Sequence, residues 1–155
     1  MKIFVKIIIN ILIIIKMPEN TEPILTFYYN SKDLVYENIS SSIRIGSLQG
    51  QTYKDYERNT KSGRITYQNI ASIIDNLYIY TGNAVLSFLD NSKDLIIFAS
   101  NGSDDTYSDT KKFKQNETIF QKIIEGKGKY ASLEGTVVIN TFENGDRIGY
   151  VYATN

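Results

Sequence analysis

The chain contains no cysteine and no histidine. Without cysteine it has no disulfide framework, no thiolate metal site and no cysteine nucleophile. Without histidine it lacks the usual general base at neutral pH, the commonest metal ligand and every Ser-His-Asp triad. Any chemistry must therefore come from carboxylates, Tyr, Lys, Arg, or hydroxyl and amide groups, and we expect no cofactor and no metal.

The chain also lacks an excess of charge of either sign. Lys plus Arg and Asp plus Glu both number 17, so the composition shows no electrostatic footprint for nucleic acid. The densest basic stretch, residues 111–114, follows Asp104 and Asp105, which is typical of a solvated loop. We expect no nucleic-acid partner.

Long hydrophobic runs are missing except at an Ile-rich N-terminus, MKIFVKIIINILIIIK. The apolar run at residues 7–15 is interrupted by Asn10 and is too short for a membrane span, which needs about 20 apolar residues. It fits a signal peptide, which predicts secretion. The alternatives are a spurious extension, with a cytoplasmic protein starting at Met17, or a genuine structural element. Residues 1–16 are thus a leader, residues 17–23 a linker and residues 24–155 one domain.

Short runs of β-branched and aromatic residues follow Pro23, separated by Gly, Asn, Asp and Ser. This pattern predicts successive strands of an all-β domain. The predicted strands are 24–29, 42–48, 51–58, 64–70, 76–80, 84–89, 94–99, 117–125, 130–142 and 147–153. Eight of them, with two merged or irregular, suffice to close a small antiparallel barrel. Helices at 70–74 and 118–124 are the weaker alternative, because neither segment has the length or capping of a helix.

Turn chemistry supports the strands. Thr81-Gly82-Asn83 separates two apolar runs, the segment 90–94 joins two more, and Asn144-Gly145 is a strong hairpin signal. Residues 101–115 form the longest polar gap and are predicted to be an exposed loop near the mouth of the barrel.

The most specific motif is EGKGKYASLEGT at residues 125–136. Gly126 and Gly128 are predicted to adopt positive φ in a tight corner between two strands. Tyr130 is predicted to plug the barrel end, and Gly135 to mark a bulge or a close backbone crossing. A phosphate loop is the rival interpretation, but it requires a following helix, and β-branched residues follow here.

This motif resembles the GGTGKYAGAxG stretch of the allene oxide cyclases and dirigent proteins, which form one superfamily of eight-stranded barrels. Segments 45–50 and 76–99 agree with the family in order, so the resemblance covers residues 24–153, although only the Gly-rich corner, residues 126–135, is specific. The resemblance implies a calycin-like antiparallel barrel and a homotrimer.

The resemblance also implies a function. Allene oxide cyclases close a fatty-acid epoxide inside a hydrophobic barrel, and dirigent proteins guide the coupling of phenolic intermediates. In both, the pocket fixes one conformer of a reactive substrate. We therefore expect a barrel that binds or sterically guides a hydrophobic small molecule without strong acid–base catalysis. The alternatives are a non-catalytic structural or interaction protein, secreted or on a particle surface, and a cyclase or isomerase.

The chain departs from the family where chemistry occurs. In the cyclases an acidic residue closely precedes an asparagine in the first strand; here Asn30 matches the asparagine, and Tyr28 or Tyr29 replaces the acid. The cyclases' cysteine is absent. Dirigent sites place an arginine inside the barrel, for which Arg44 and Arg64 are candidates. No catalytic role is transferred, and the candidate pocket residues are Tyr28, Asn30, Tyr53, Arg64, Tyr67 and Glu125.

Overall fold

The computed structural model describes residues 22–30, 43–74, 77–104 and 117–154, with side chains left out of the description at 43–48, 73–74, 77–78 and 103–104. The leader and most of the linker lie outside these residues. The strands are β1 (Leu25–Asn30), β2 (Ile43–Tyr53), β3 (Lys61–Ile74), β4 (Leu77–Phe88), β5 (Leu95–Ala99), β6 (Gly102–Asp104), β7 (Glu117–Lys127), β8 (Gly135–Thr141) and β9 (Asp146–Ala153). A single 3₁₀ turn, Gly128–Tyr130, follows β7.

The strands close into a barrel. Neighbours around the ring are antiparallel and run β1, β2, β3, β4, β5, β7, β8 and β9, and β9 pairs with β1 from Val151 opposite Leu25 to Asp146 opposite Asn30. The short β6 lies beside the first half of β4. The predicted closed eight-stranded antiparallel barrel is confirmed. The described part of the chain contains no helix with the length and apolar character needed to cross a membrane.

Alternation along each strand decides which side chains enter the barrel. In β1, Phe27 and Tyr29 are buried while Tyr28 between them is not, and in β5 Ile96 and Phe98 are fully buried. Successive strand residues point to opposite faces and cross-strand partners share a face, so these residues fix the interior row on every strand. The interior core consists of Phe27, Tyr29, Ile65, Tyr67, Ala84, Leu86, Ile96, Phe98, Ile123, Val137, Ile139 and Val151.

Two predicted strand breaks are wrong. Thr81-Gly82-Asn83 forms no turn, because all three residues pair with Gln68, Asn69 and Ile70 in the middle of β4. Pairing with the long strand β3 overrides the local turn preference of these residues. Glycine is suited to position 82, because a Cβ there would clash with the Gln68 carbonyl oxygen. The strands predicted at 42–48 and 51–58 are likewise one strand, β2, which ends at Tyr53.

The chain turns after β2 because of Asp55. Its carboxylate accepts the backbone N–H groups of Asn59 and Thr60, both at 2.8 Å. The Asn59 bond is the main reason that the pKa of Asp55 lies below its ordinary value. This polar loop replaces the last residues of the predicted strand 51–58.

The other predicted turns have mixed outcomes. The segment 90–94 does form a turn, with the Asp94 N–H bonded to the Asn91 carbonyl at 3.1 Å, and Gly145 sits in the 142–146 hairpin turn with φ of 86°. The predicted loop 101–115 begins instead with β6, and its remainder lies outside the described residues. The segments weighed as helices are strand wherever described.

The Gly-rich corner lies between β7 and β8. Gly128 has φ of 63°, as predicted. The prediction of positive φ is wrong for Gly126. Glycine is needed at that position for a steric reason, because a Cβ there would meet the Tyr130 carbonyl oxygen. Tyr130 packs against Phe88 with ring centroids 5.2 Å apart and borders the core. At Gly135 a Cβ would meet the Tyr152 carbonyl, which confirms the close backbone approach.

Candidate functional site

The interior of the barrel divides into an apolar half and a polar half. Phe27, Leu86 and Ile96 fill the half next to the Gly-rich corner and are at most 1% exposed. Toward the other end the interior rows change to polar side chains. We call this group the polar half; its members are Tyr29, Tyr67, Asn69, Tyr80, Thr141 and Arg147.

Strand register brings the members of the polar half together. Arg147 of β9 is paired with Tyr29 of β1 on one side and with Thr141 of β8 on the other. Across the barrel, Tyr67 and Asn69 occupy successive interior positions of β3. The site is thus built from several strands of the closed ring.

Tyr29 and Tyr67 join the two sides of the interior. Their hydroxyl oxygens are 2.5 Å apart, and either hydroxyl can donate. The residues are 1% and 6% exposed, and their ring centroids are 6.4 Å apart. Two phenols on strands that are not neighbours in the ring therefore form one hydrogen-bonded unit.

Arg147 lies against this tyrosine pair. Its guanidinium carbon is 5.8 Å from the centroid of the Tyr29 ring, a cation–π distance. Burial opposes the charge, but Tyr29 and Tyr67 favour it more strongly, and the pKa of Arg147 lies above its ordinary value. The guanidinium is therefore positively charged at neutral pH.

Buried polar atoms without hydrogen-bond partners are concentrated in the polar half. Among the described side chains these atoms are Asn69 Oδ1, Thr141 Oγ1 and Arg147 Nε. Asn69 does use its amide nitrogen, which donates to Ser100 Oγ at 3.2 Å. A buried polar atom left unpaired costs about 1–3 kcal/mol, and such atoms are ordinarily satisfied by water or a ligand. Their position shows where a bound molecule would find hydrogen-bond partners.

Of the candidates from the sequence, Tyr67 lies in the interior. Tyr28 is on the outer face, with its ring edge-on to Tyr56 at 6.2 Å, and Tyr53 is its cross-strand partner on that face. Asn30 is buried but also belongs to the outer row of β1, where its amide donates to Asp146 at 2.6 Å.

The two charged candidates are also outside the barrel. Arg64 is exposed and lies 3.5 Å from the Gln49 side-chain oxygen. Glu125 is exposed, and its Oε1 atom lies 3.8 Å from Lys127 Nζ. Their strands turn other residues inward, namely Ile65 in β3 and Gly126 in β7. The Arg44 side chain is outside the described residues.

Sequence reasoning missed Arg147, Tyr29 and Tyr80. A signal for Arg147 exists: the Asn144-Gly145 turn fixes where β9 begins, and alternation back from Val151 through Gly149 places residue 147 in the interior. The polar half as a whole has no such signal, because Tyr29 and Tyr67 meet only when the barrel closes.

Comparison of the chain with protein-family models found no match, and comparison with curated proteins found none either. Among the described residues, no three Asp, Glu, His or Cys side chains are grouped to hold a metal ion. A surface depression of about 530 Å³ lies at the Gly-rich corner, on the far side of the barrel from the polar half, and is lined by Ile24 and residues 128–133.

Tyr67→Phe is expected to make the protein less sensitive to alkaline pH. Burial, followed by Tyr29, raises the pKa of Tyr67 well above its ordinary value, against a smaller opposing effect of Arg147. Stability from this phenol is therefore complete below the unfolded pKa of about 10 and is lost as pH rises above it. Between pH 10 and 11.5, the unfolding free energy of the unmodified protein should fall more steeply than that of Tyr67→Phe, by up to about 1.4 kcal/mol per pH unit. Urea denaturation at several pH values measures both slopes, and equal slopes would contradict the prediction.

Proposed function

We propose that the barrel binds a hydrophobic small molecule in its interior and holds it in one orientation at the polar half. The observation that supports this most directly is the clustering of Asn69 Oδ1, Thr141 Oγ1 and Arg147 Nε, buried without partners, beside the apolar core. A barrel that served only as a scaffold would gain stability from apolar side chains at these positions. Apolar walls with a few convergent polar groups are typical of small-molecule sites.

The same groups favour steric guidance over acid–base catalysis. The raised pKa of Tyr67 keeps its proton in place at neutral pH, and Arg147 does not release one. Neither side chain can act as a general base there, since a base needs a pKa near the working pH. Both can orient a polar group of a ligand by donating hydrogen bonds. Fixing one conformer of a reactive molecule is then the chemistry within reach.

Membership of the allene oxide cyclase and dirigent superfamily is part of this proposal. It is supported by the motif at 125–136 and by the eight-stranded barrel, whose corner contains that motif. Membership would imply a homotrimer, and a size measurement in solution tests that implication separately from ligand binding.

The proposal predicts saturable binding of a neutral apolar probe. N-phenyl-1-naphthylamine should bind one molecule per chain with enhanced, blue-shifted fluorescence. Thr141→Leu places bulk in the polar half and should weaken binding at least tenfold, whereas Thr136→Leu, on the outer row of the same strand, should leave it unchanged. Absence of saturable binding, or equal effects of the two variants, would contradict the proposal and favour a structural or interaction protein.

A further inference from the structure

Arg147 is a half-buried cation with a fully buried Nε atom, and it has no described counter-charge. No carboxylate among the described side chains lies within 4.0 Å of its nitrogen atoms. Glu117, half-buried at the start of β7, shares the interior row through Thr141 but is two strands away. Taking an ion out of water costs several kcal/mol even after the protein relaxes, unless a partner compensates its charge.

The tyrosines stabilise the cation without supplying a counter-ion. The cation–π contact with Tyr29 favours the charge, but a neutral phenol oxygen supplies no net negative charge. A guanidinium has five N–H donors in a planar fork, and the one on Nε has no acceptor. Arg147 therefore lacks a described counter-charge, and its Nε lacks a hydrogen-bond acceptor.

From this we infer that the ligand of the polar half is an organic monoanion whose carboxylate binds the Arg147 guanidinium and accepts a hydrogen bond from the tyrosine pair. The inference rests on the proposed function and names the ligand class for that same site. A carboxylate matches the guanidinium fork with two oxygens, which is the geometry of the strongest charge-assisted pairs. The apolar part of the acid would lie toward Phe98 and Ile139 of the core.

Charge balance favours a carboxylate over a phosphate. Among the side chains described, Arg147 is the cation in the interior rows, and Lys129 belongs to the Gly-rich corner at the other end. One positive charge neutralises one negative charge, and a phosphate monoester would bring a second one. Glu117 in the same row would repel that second charge, so a dianion gains less from this site than a monoanion.

A pair of matched competitors tests the inference in the full-length protein. Cyclohexanecarboxylate and cyclohexanecarboxamide have nearly the same shape and differ in charge. At pH 7.5 the carboxylate should displace N-phenyl-1-naphthylamine at least tenfold more effectively than the amide. Arg147→Met should reduce that ratio to about one while the neutral probe still binds, and Arg147→Lys should retain part of it. Arg64→Met, which removes an exposed outer-face arginine, is the control and should leave the ratio unchanged.

The outcomes separate the inference from the proposed function. If the probe binds but acid and amide compete equally, or neither competes, the anion inference is wrong and the proposed function stands. If the probe does not bind at all, the proposed function fails first. If Arg147→Met does not fold, the competitor ratio of the unmodified protein and its partial loss in Arg147→Lys still decide the matter.

Discussion

Phe27→Ala is expected to lower the free energy of unfolding by about 3–5 kcal/mol. Phe27 is 1% exposed and stacks on Tyr29 with ring centroids 5.9 Å apart. Its ring also covers Gly149 on the neighbouring strand, where a Cβ would clash with the ring carbons. Because glycine has no side chain to move into the vacated space, most of the cavity would remain. Urea denaturation followed by far-UV circular dichroism measures the loss.

The matched control is Phe120→Ala. Phe120 lies on the outer row of β7 and is 47% exposed, so the same substitution removes far less buried surface and should cost about 1 kcal/mol or less. Comparable losses at the two positions would show that β1 does not place Phe27 at the centre of the barrel, and would contradict the pairing of β1 with β9.

The barrel could be predicted from the sequence because its signals are local. Short β-branched and aromatic runs such as LTFYYN and LIIFA indicate strands, and Asn144-Gly145 marks a hairpin by its own chemistry. The error at Thr81-Gly82-Asn83 shows the limit of this reasoning. Those residues favour a turn, but β3 supplies partners for every one of them, and tertiary pairing overrides the local preference.

The site could be predicted only in part, because a one-residue change of register moves every side chain to the other face. Arg64 was a candidate for the interior, yet Ile65 and Tyr67 alternate with it and take the inward row. The positions of the hydrophobic residues Ile65 and Tyr67 therefore indicate that Arg64 faces outward. Arg147 lacks such a clear local pattern, since Ile148 is on the outer row and Gly149 on the inner one.

The contacts within the polar half depend on closure of the barrel. Tyr29 and Tyr67 are 38 residues apart, and their hydroxyl groups meet across the interior, because β1 and β3 are separated in the ring by β2. No spacing rule for a single strand or hairpin predicts such a pair. The sequence supports a barrel with a tyrosine-rich wall, and the closed ring selects which tyrosines face the arginine.

Gly126→Ala is expected to lower the free energy of unfolding by about 2–3 kcal/mol, near the upper end of the usual range for overpacking. The new Cβ would meet the carbonyl oxygen and carbon of Tyr130, which are backbone atoms and cannot rotate away. The turn that contains them is also anchored, because the Lys129 N–H donates to the buried Asp94 carboxylate at 3.0 Å. Relief of the clash therefore requires displacement of the 3₁₀ turn.

Lys127→Ala is the control for this prediction. Lys127 is the next residue of β7, and its exposed contact with Glu125 contributes little, so its loss should change stability by about 0.5 kcal/mol or less. A similarly small effect of Gly126→Ala would mean that the corner is loosely held.

Displacement of the turn has a second consequence that tests the mechanism. If Gly126→Ala moves the turn, it also moves the Tyr130 ring away from Phe88. Tyr130→Ala removes the same ring contact, so the two substitutions would share part of their loss of stability. The double variant should lose less stability than the sum of the single variants, by at least about 0.5 kcal/mol. Additive losses would show that the Cβ is accommodated elsewhere in β7, with the Tyr130 ring still packed against Phe88.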